Sequence, residues 1–304
     1  MDIFTVLNKI LPGDRLRRNE NLNQHSTYQI GGPADVIASP NTLSELQELM
    51  AIVTSEDIPW MVLGNGSNII FADEGYRGLV IKIRGSNPVS DTLCDLENED
   101  DYIRAGAGIS LPRLARFAAS LGLSGLEFCA GIPGVLGGAV PGNVGAHGSE
   151  LSCSLDSIDL LYPTGSVQTI PASEAGFSYR QSKIKKSCIV TGAVFKLVPD
   201  NPENIYERMK NYSDYRKRTQ PGSEQSAGCM FKNPSGDKAG RLIELSGCKG
   251  LEIGGTQVSE KHANFIINKG GATASDAFRL IDLVREHVLS QTGVTLELEV
   301  RIIN

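Results

Sequence analysis

Residues 130–148 read AGIPGVLGGAVPGNVGAHG and decide the fold, because no ordinary secondary-structure element accommodates them. The nineteen residues include seven glycines and two prolines, and none is Lys, Arg, Asp or Glu. A regular helix is disfavoured, since each interior glycine costs about 1 kcal/mol relative to alanine. A solvated linker is disfavoured too, because apolar residues alternate with the glycines: Ile132, Val135, Leu136, Val140 and Val144. The stretch predicts either a half-buried loop whose bare backbone lies against a flat or anionic group, or a tight crossover between core elements.

A second glycine loop, Leu63-Gly64-Asn65-Gly66-Ser67-Asn68, begins at the end of the short apolar run 60–63. Two such loops indicate a large cofactor that carries phosphate. Successive backbone N–H groups would hold it, and Ser67 and Asn68 would add side-chain donors. The chain has no G-x-x-x-x-G-K-[ST], and Ile69 stands where a dinucleotide fingerprint has its third glycine. A P-loop and a Rossmann domain are therefore disfavoured.

The composition is that of a globular protein of two domains, or of one large and one smaller domain. The 304 residues are 40% hydrophobic and 21% charged, with a net charge of −6, so nucleic acid and anionic membranes are not expected as partners. No stretch suggests a membrane span or a secretion signal, so a cytoplasmic location is expected. Six cysteines without C-x-x-C or His spacing predict reduced thiols and no metal site.

Local patterns predict an α+β chain. Thr42 with Glu45 and Ser110 with Pro112 each begin a helix. The other predicted elements are strands at 60–63, 79–83, 102–105, 158–162, 188–198 and 264–268, and helices at 204–218, 237–246 and 275–291. A final strand at 296–302 would bury Leu296, Leu298, Val300 and Ile302 on one face. We expect a helical segment over 1–22, a cofactor domain over 23–200 and a smaller domain over 201–304.

Eight segments in order carry a family resemblance. They are 25–32 (HSTYQIGG), 63–68 (LGNGSN), 131–134 with 137–139 (GIPG and GGA), 179–182 (YRQS), 226–234 (SAGCMFKNP), 254–259 (GGTQVS), 262–265 (HANF) and 296–300 (LELEV). Together they resemble the UDP-N-acetylenolpyruvoylglucosamine reductases of peptidoglycan synthesis, over about residues 25–302. The resemblance is to the shorter subclass, which lacks an extra tyrosine-bearing substrate loop.

The resemblance implies a fold and a reaction. The fold is an FAD-binding domain of the vanillyl-alcohol-oxidase (PCMH) type followed by a smaller α+β substrate domain. The reaction is NADPH-dependent, FAD-mediated reduction of UDP-N-acetylglucosamine enolpyruvate to UDP-N-acetylmuramate. Hydride passes from flavin N5 to C3 of the enolpyruvyl group, and a proton passes to C2. FAD is bound non-covalently, and the pathway serves cell wall biogenesis, cell shape and cell division.

The resemblance also implies three catalytic residues. Arg180 would bind the substrate carboxylate and stabilise the enolate, because its guanidinium forks onto a carboxylate. Glu299, the second glutamate of L-E-x-E-V, would polarise the carboxylate or relay a proton. Cys229 stands where the family commonly has a proton-donating serine. A thiol, with an ordinary pKa of about 8.5, is a stronger acid than a hydroxyl, although a nearby cation would favour an unproductive thiolate.

The remaining site residues follow from the same resemblance. The UDP-sugar is expected at Lys232, Asn233 and Gln257. The cofactor is expected at Leu63, Gly64, Asn65, Gly66, Ser67, Asn68, Gly131, Ile132, Pro133, Gly134, Gly137, Gly138, Asn143, Gly145 and Gly148. A monomer is expected, with a small-molecule substrate as its partner.

Two other functions remain open at this point. One is an FAD-dependent oxidase of the same fold that acts on a small alcohol or a sugar lactone. Such an oxidase needs no acid to protonate an enolate, so Arg180, Cys229 and Glu299 with Lys232 and Asn233 argue against it. The other is a non-catalytic nucleotide-binding module, in which Arg180 and Glu299 could be replaced without loss of biological activity.

Overall fold

The structure is a computed structural model that describes residues 3–83 and 92–304. Its α-helices are α1 (Ile3–Leu7), α2 (Leu43–Ser55), α3 (Leu111–Ser120), α4 (Leu136–Ala139), α5 (Pro202–Thr219), α6 (Ala239–Leu245) and α7 (Ala274–Thr292). None of the helices in these two ranges is both long and apolar enough to cross a bilayer.

The strands are short and numerous. They are β1 (Leu16–Asn21), β2 (Pro33–Ala38), β3 (Trp60–Leu63), β4 (Ile69–Phe71), β5 (Tyr76–Lys82), β6 (Leu96–Glu99), β7 (Tyr102–Gly106), β8 (Leu123–Ser124), β9 (Gly145–Ala146), β10 (Ser149–Glu150), β11 (Leu155–Leu161), β12 (Val167–Pro171), β13 (Ile189–Lys196), β14 (Val198–Pro199), β15 (Gln225–Cys229), β16 (Glu252–Ile253), β17 (Thr256–Val258), β18 (Phe265–Asn268) and β19 (Arg301–Ile303).

The chain divides into two compact units, each assembled from separate stretches. The first unit takes residues up to 18 and then 36–64 and 78–214. The second takes 19–35, 65–77 and 215–304. The chain passes from one unit to the other inside β1, β2 and β5, so neither unit is a continuous segment.

The first unit is built on a five-stranded antiparallel sheet in the order β12-β11-β13-β7-β6. Its main core combines this sheet with α3 and with the 3-10 turn Glu127–Gly131, around fully buried side chains such as Leu114 and Phe195. A second core forms beneath α2, where Leu46 and Leu49 pack among residues of β2 and β5. Burial of these apolar faces is the main contribution to stability.

The second unit packs α6 and α7 with an antiparallel sheet in the order β15-β18-β17-β16. Its core includes residues from early in the chain, since Tyr28, Ile30 and Ile70 are buried among side chains of α6 and α7. Strand β19, at the end of the chain, runs parallel to β4 and pairs with it from Arg301 to Ile303. The unit therefore depends on contacts across more than two hundred residues of sequence.

Most of the predicted elements are confirmed. The Thr42 side chain accepts a hydrogen bond from the Glu45 amide, and Glu45 completes the capping box of α2. The amphipathic helix predicted over 275–291 is α7, which ends at Gly293 with φ of +71°. The strand predicted over 60–63 is β3 with the same bounds. Ser110 precedes α3 as predicted, but its side chain makes no capping bond.

The helical prediction for residues 1–22 is wrong over much of its length. Helix α1 covers only Ile3–Leu7, and Leu16–Asn21 forms β1. Strand β1 lies beside β2 in the sheet order β1-β2-β5-β3. Pairing with a strand distant in sequence overrides a local preference, which is the usual limit of propensity arguments.

The predicted strand at 296–302 is also wrong in extent. Regular pairing is confined to β19, because the preceding residues pair irregularly with residues 230–232, through a single bridge at Leu298 and two amides that share one carbonyl. The Met230 oxygen accepts from the Glu299 amide at 2.9 Å and from the Val300 amide at 3.4 Å. Two consecutive amides on one acceptor break the alternation of a ladder. Ile302 is accordingly 37% exposed, rather than buried with Leu296 and Val300.

Candidate functional site

The glycine-rich stretch 130–148 is mostly loop, but it contains one short helix, α4, and the two-residue strand β9. Gly137 is required by packing, because a Cβ there would lie 2.8 Å from the Ala107 Cβ. Gly64, from the other glycine loop, faces Val135 so closely that a Cβ would lie 2.4 Å from the Val135 Cγ2. The structure therefore brings the start of loop 63–68 against loop 130–148 within the first unit.

Gly138 has a different explanation. A Cβ there would meet nothing within 4 Å, and its φ is outside the left-handed region. Neither packing nor backbone conformation within the protein requires a glycine at this position. The residue is exposed at the surface of α4 and leaves room for a flat group to approach the backbone. This open face is the feature of the loop that fits FAD.

Asn143 fixes the shape of the same loop. It is 1% exposed, has a left-handed φ of +41° and bonds to two other segments. Its Nδ2 donates to the Ser178 oxygen at 3.2 Å, and its Oδ1 accepts from the Ser152 amide at 3.0 Å. The side chain thus holds the loop in place, and its predicted contact with the cofactor stays a prediction.

Arg180 lies at the tip of a tight turn beside this loop. Ser178 and Gln181 bridge each other, and Arg180 has a left-handed φ of +58°, which is uncommon for a residue with a Cβ. The Ser182 hydroxyl donates to the Pro141 oxygen at 2.9 Å, and this ties the turn to loop 130–148. Within the first unit, the structure therefore brings the predicted catalytic arginine to the predicted cofactor loop.

An ion-pair network is centred on Glu127, in the 3-10 turn that leads into loop 130–148. The Glu127 carboxylate accepts from Ser124, from the Gly125 amide and from Arg208. Although burial alone would raise it, these hydrogen bonds hold the pKa of Glu127 below its ordinary value. Burial, aided by the Glu127 charge, raises the pKa of the neighbouring Cys129 thiol. Cys129 is thus a protonated core residue.

In the second unit, residues 65–68 contact the segments that carry Cys229 and Glu299. Gly66 packs so closely that a Cβ would lie 2.4 Å from the His25 oxygen, and its φ is +62°. A Cβ on Gly228 would lie 3.5 Å from the Ser67 oxygen. Asn68 Nδ2 donates to the backbone oxygen of Glu299 at 3.2 Å, and the backbone oxygen of Asn68 accepts from the Arg301 amide at 3.1 Å.

Cys229 and Glu299 are brought together through residue 230. The Glu299 amide donates to the Met230 oxygen at 2.9 Å, and Phe231 forms a bridge with Leu298. Cys229 ends β15 and is partly buried, as is Glu299. The two predicted catalytic residues of this unit therefore lie on adjacent, hydrogen-bonded segments.

The predicted substrate residues lie in the same unit with protein contacts of their own. Lys232 Nζ lies 3.4 Å from Glu297 Oε2 at the surface, and such exposed pairs are worth little. Asn233 Oδ1 accepts the Ala239 amide at 3.0 Å, which satisfies an N-terminal donor of α6. Gln257 Nε2 donates to Glu252 Oε1 at 2.7 Å. Their binding roles stay predictions.

Asn264 was not singled out for any role from the sequence. It is 3% exposed, and its side chain pairs with the backbone of Phe231 on both sides. Oδ1 accepts the Phe231 amide at 2.9 Å, and Nδ2 donates to the Phe231 oxygen at 2.8 Å. The Asn264 oxygen also accepts the Met230 amide at 2.8 Å. The only sequence signal was its place in the 262–265 segment of the resemblance.

Comparison with known proteins agrees with this geometry. Residues 34–171 match a family described as FAD binding domain. Residues 220–303 match one described as UDP-N-acetylenolpyruvoylglucosamine reductase, C-terminal domain. The chain is 43% identical over 291 residues to the UDP-N-acetylenolpyruvoylglucosamine reductase of Bacillus velezensis, with 95% of this chain and 94% of the relative covered. Identity to the enzyme of the same name from Bacillus subtilis is 42%, over 94% and 93% of the two chains.

A crystal structure supports the same relationship. UDP-N-acetylenolpyruvylglucosamine reductase from Thermus caldophilus superimposes with a TM-score of 0.80 at 37% identity, covering 95% of this chain and 99% of that one. The FAD-binding family match and the fold thus define an oxidoreductase that uses FAD, and the expected fold class and cofactor are confirmed. Within that class, the chain belongs to the UDP-N-acetylenolpyruvoylglucosamine reductase family.

Proposed function

We propose that this protein reduces UDP-N-acetylglucosamine enolpyruvate to UDP-N-acetylmuramate with NADPH, in the synthesis of peptidoglycan precursors. The family relationship supports the reaction. The observation that carries the residue assignment is the Glu299 amide bonded to the Met230 oxygen, directly after Cys229. When bound, FAD would supply the redox chemistry that links NADPH to the enolpyruvyl double bond.

Arg180 binds the substrate carboxylate in this proposal. Hydride addition at C3 places negative charge at C2 and in the carboxylate, and a permanent cation stabilises that charge. The backbone of Arg180 is held by the turn at 178–181 and by the bond from Ser182 to Pro141, and the guanidinium carbon lies 5.7 Å from the centroid of the Tyr179 ring. Because the turn fixes this backbone before substrate arrives, less reorganisation is needed during the reaction.

Cys229 protonates C2, and Glu299 assists it. Cys229 is the last residue of β15. A register shift precedes it in the pairing with β18, and the Glu299 amide bonds to the oxygen of the next residue, Met230. A positioned acid of this kind contributes typically about 10²- to 10⁴-fold to the rate. Glu299 polarises the carboxylate or relays the proton to the thiol.

The UDP-sugar is bound by Lys232, Asn233 and Gln257. Lys232 supplies a point charge for the diphosphate, and its weak surface pair with Glu297 leaves it able to do so. Gln257 must exchange its contact with Glu252 for one with the sugar nucleotide. Asn233 uses Oδ1 for the α6 amide, so its Nδ2 is the group offered to substrate.

The decisive experiment follows the flavin absorbance of the purified protein under anaerobic conditions. NADPH alone should bleach the flavin bands, and UDP-N-acetylglucosamine enolpyruvate alone should restore them. If oxygen restores the flavin bands and the sugar nucleotide does not, the protein is instead an oxidase. A protein that takes up no FAD would contradict both.

Two further parts of the proposal are separate from the chemistry. The enzyme acts as a monomer in the cytoplasm, where NADPH and the sugar nucleotide are made available to it. Size-exclusion chromatography with light scattering and cell fractionation test these two statements. A stable dimer, or recovery in the membrane fraction, would remove them without affecting the reaction.

A further inference from the structure

We infer that Thr27 is a positioning residue for Cys229: it joins loop 65–68 to strand β15, and so fixes where the thiol stands relative to the glycine loop. The inference rests on the proposed role of Cys229 in the reaction. Thr27 belongs to the segment 25–32, which contributes to the family resemblance but has no part in the chemistry described above.

Thr27 bonds to both segments. Its amide donates to the Gly66 oxygen at 3.1 Å, and its hydroxyl lies 2.7 Å from the Ser226 oxygen and 3.4 Å from the Gly66 oxygen. Gly66 and Ser226 are both buried. Thr27 therefore links Gly66, in the glycine loop, to Ser226, which lies three residues before Cys229.

This anchor matters because the ladder of β15 is interrupted just after it. Ser226 pairs with Ile267 and Cys229 pairs with Phe265, with a shift of register between the two pairs. Gly228, inside the bulge, has a φ of +81°. Regular strand pairing does not fix the backbone between Ser226 and Cys229, because the ladder with β18 is interrupted there. The Thr27 hydroxyl adds a contact to the Ser226 oxygen, at the start of this interval.

The residues that follow Thr27 fix the backbone of its segment. The Tyr28 side chain is fully buried, and the Tyr28 oxygen accepts from Asn268 Nδ2 at 3.0 Å. Gln225 Nε2 donates to Gln29 Oε1 at 2.6 Å at the surface. Because Tyr28 is buried and attached to β18, the segment cannot shift freely even without the exposed Gln29 contact, and the β-branched Thr27 side chain has few rotamers available.

The test compares Thr27→Val, which keeps the shape and removes the hydroxyl, with Thr27→Ser, which keeps the hydroxyl. Gln29→Asn is a matched control that alters the neighbouring surface contact and tolerates the left-handed backbone at this position. Two readouts are taken on the FAD-loaded protein. One is the rate at which iodoacetamide alkylates each cysteine, resolved by peptide mass spectrometry; the other is stopped-flow absorbance of both half-reactions.

We expect Thr27→Val to raise Cys229 alkylation several-fold while buried Cys248, in the same unit, stays protected. Reoxidation by the sugar nucleotide should slow by about tenfold or more, because small misplacements of a reacting group are costly. Reduction by NADPH should change little. Thr27→Ser should restore both rates, and Gln29→Asn should behave as the wild type.

Wild-type Cys229 alkylation and reoxidation in Thr27→Val would overturn the inference. So would exposure of Cys248 together with equal slowing of both half-reactions, since that pattern means general unfolding. If the wild type itself fails to react with the sugar nucleotide, the proposed function fails, and the alkylation rates alone still decide whether Thr27 positions Cys229.

Discussion

Cys229 is the proposed proton donor, at a position where the family resemblance leads us to expect a serine, and its role can be tested by substitution. Cys229→Ser should keep substantial turnover, because a hydroxyl in the same place still provides a proton. Cys229→Ala should slow reoxidation by the sugar nucleotide by about 10²- to 10⁴-fold, as expected for loss of a general acid, without slowing reduction by NADPH. Anaerobic stopped-flow absorbance separates the two steps. Normal reoxidation of the alanine variant would show that another group protonates C2.

Gly138 allows a second test at the scale of one residue. Since a Cβ there meets nothing in the protein, Gly138→Ala should leave the melting temperature of the FAD-free protein unchanged or slightly raised. FAD affinity should fall by about tenfold or more, since overpacking costs about 1–3 kcal/mol. Fluorescence titration with FAD measures the affinity.

The matched control is Gly137→Ala, one residue away. Its Cβ would lie 2.8 Å from the Ala107 Cβ, so this variant should lower the melting temperature of the FAD-free protein as well. Equal FAD affinity in Gly138→Ala and the wild type would exclude Gly138 from the cofactor surface.

For single residues, the sequence predicts where unusual residue types cluster, but it does not predict which atoms each residue will contact in the fold. The density of glycine around 130–148 predicted a loop of unusual backbone, and that is what the structure contains. Nothing in the sequence separates Gly137, which packing requires, from Gly138, which faces open space. Thr27 and Asn264 were missed because an ordinary threonine and asparagine gain their importance only from partners far along the chain.

Among the elements, α5 is linked to the turn Glu127–Gly131 by a half-buried ion pair that depends on pH. Arg208 Nη2 lies 2.8 Å from Glu127 Oε1, and the Glu127 side chain is 9% exposed. The pKa of Glu127 is lower in the folded state than in the unfolded chain. The ionised carboxylate of Glu127 therefore stabilises the fold above about pH 4.3, the ordinary pKa of a glutamate. This contribution is lost as the pH falls through the folded pKa.

Glu127→Gln should therefore reduce the free energy of unfolding at pH 7, and the difference from wild type should shrink below about pH 4.3. Urea unfolding followed by circular dichroism at several pH values measures this. Asp282→Asn is the control, since its pair with Arg285 spans 3.8 Å on the surface and should matter little. A constant difference across the pH range would refute the assignment.

Elements with strong local signals were predictable, and those made by distant pairing were not. Helix α7 carries an apolar stripe and a terminal Gly293, which are both local patterns in the sequence. It also begins with a capping box at Thr273. Strand β1 has a largely exposed, polar sequence and exists because of its neighbours in the sheet. The segment before β19 alternates like a strand, but the shared Met230 acceptor prevents regular pairing.

At the scale of the whole molecule, the interleaving of the two units gives a prediction about fragments. The domain boundary expected near residue 200 implies that residues 201–304 can be isolated. The core around α6 and α7, however, includes the fully or almost fully buried Tyr28, Ile30 and Ile70, and β19 pairs with β4. We expect a fragment of residues 201–304 to lack cooperative thermal unfolding and dispersed amide resonances.

Adding the missing stretches is the control for that experiment. A single chain joining 19–35, 65–77 and 215–304 through glycine-serine linkers contains every stretch of the second unit. It should unfold more cooperatively than the fragment 201–304 when followed by circular dichroism. A sharp transition and dispersed spectrum from 201–304 alone would establish it as an independent domain.

The same interleaving has a consequence for how the protein is made. Residues 19–35 and 65–77 leave the ribosome long before residues 215–304, with which they share a core. At about 5–20 residues per second, the nascent chain carries Tyr28, Ile30 and Ile70 uncovered for roughly ten to fifty seconds. Strand β19 must be translated before β4 can pair with it, so the second unit closes only after residues 301–303 have been made. During that interval the uncovered apolar side chains make the nascent chain prone to aggregation.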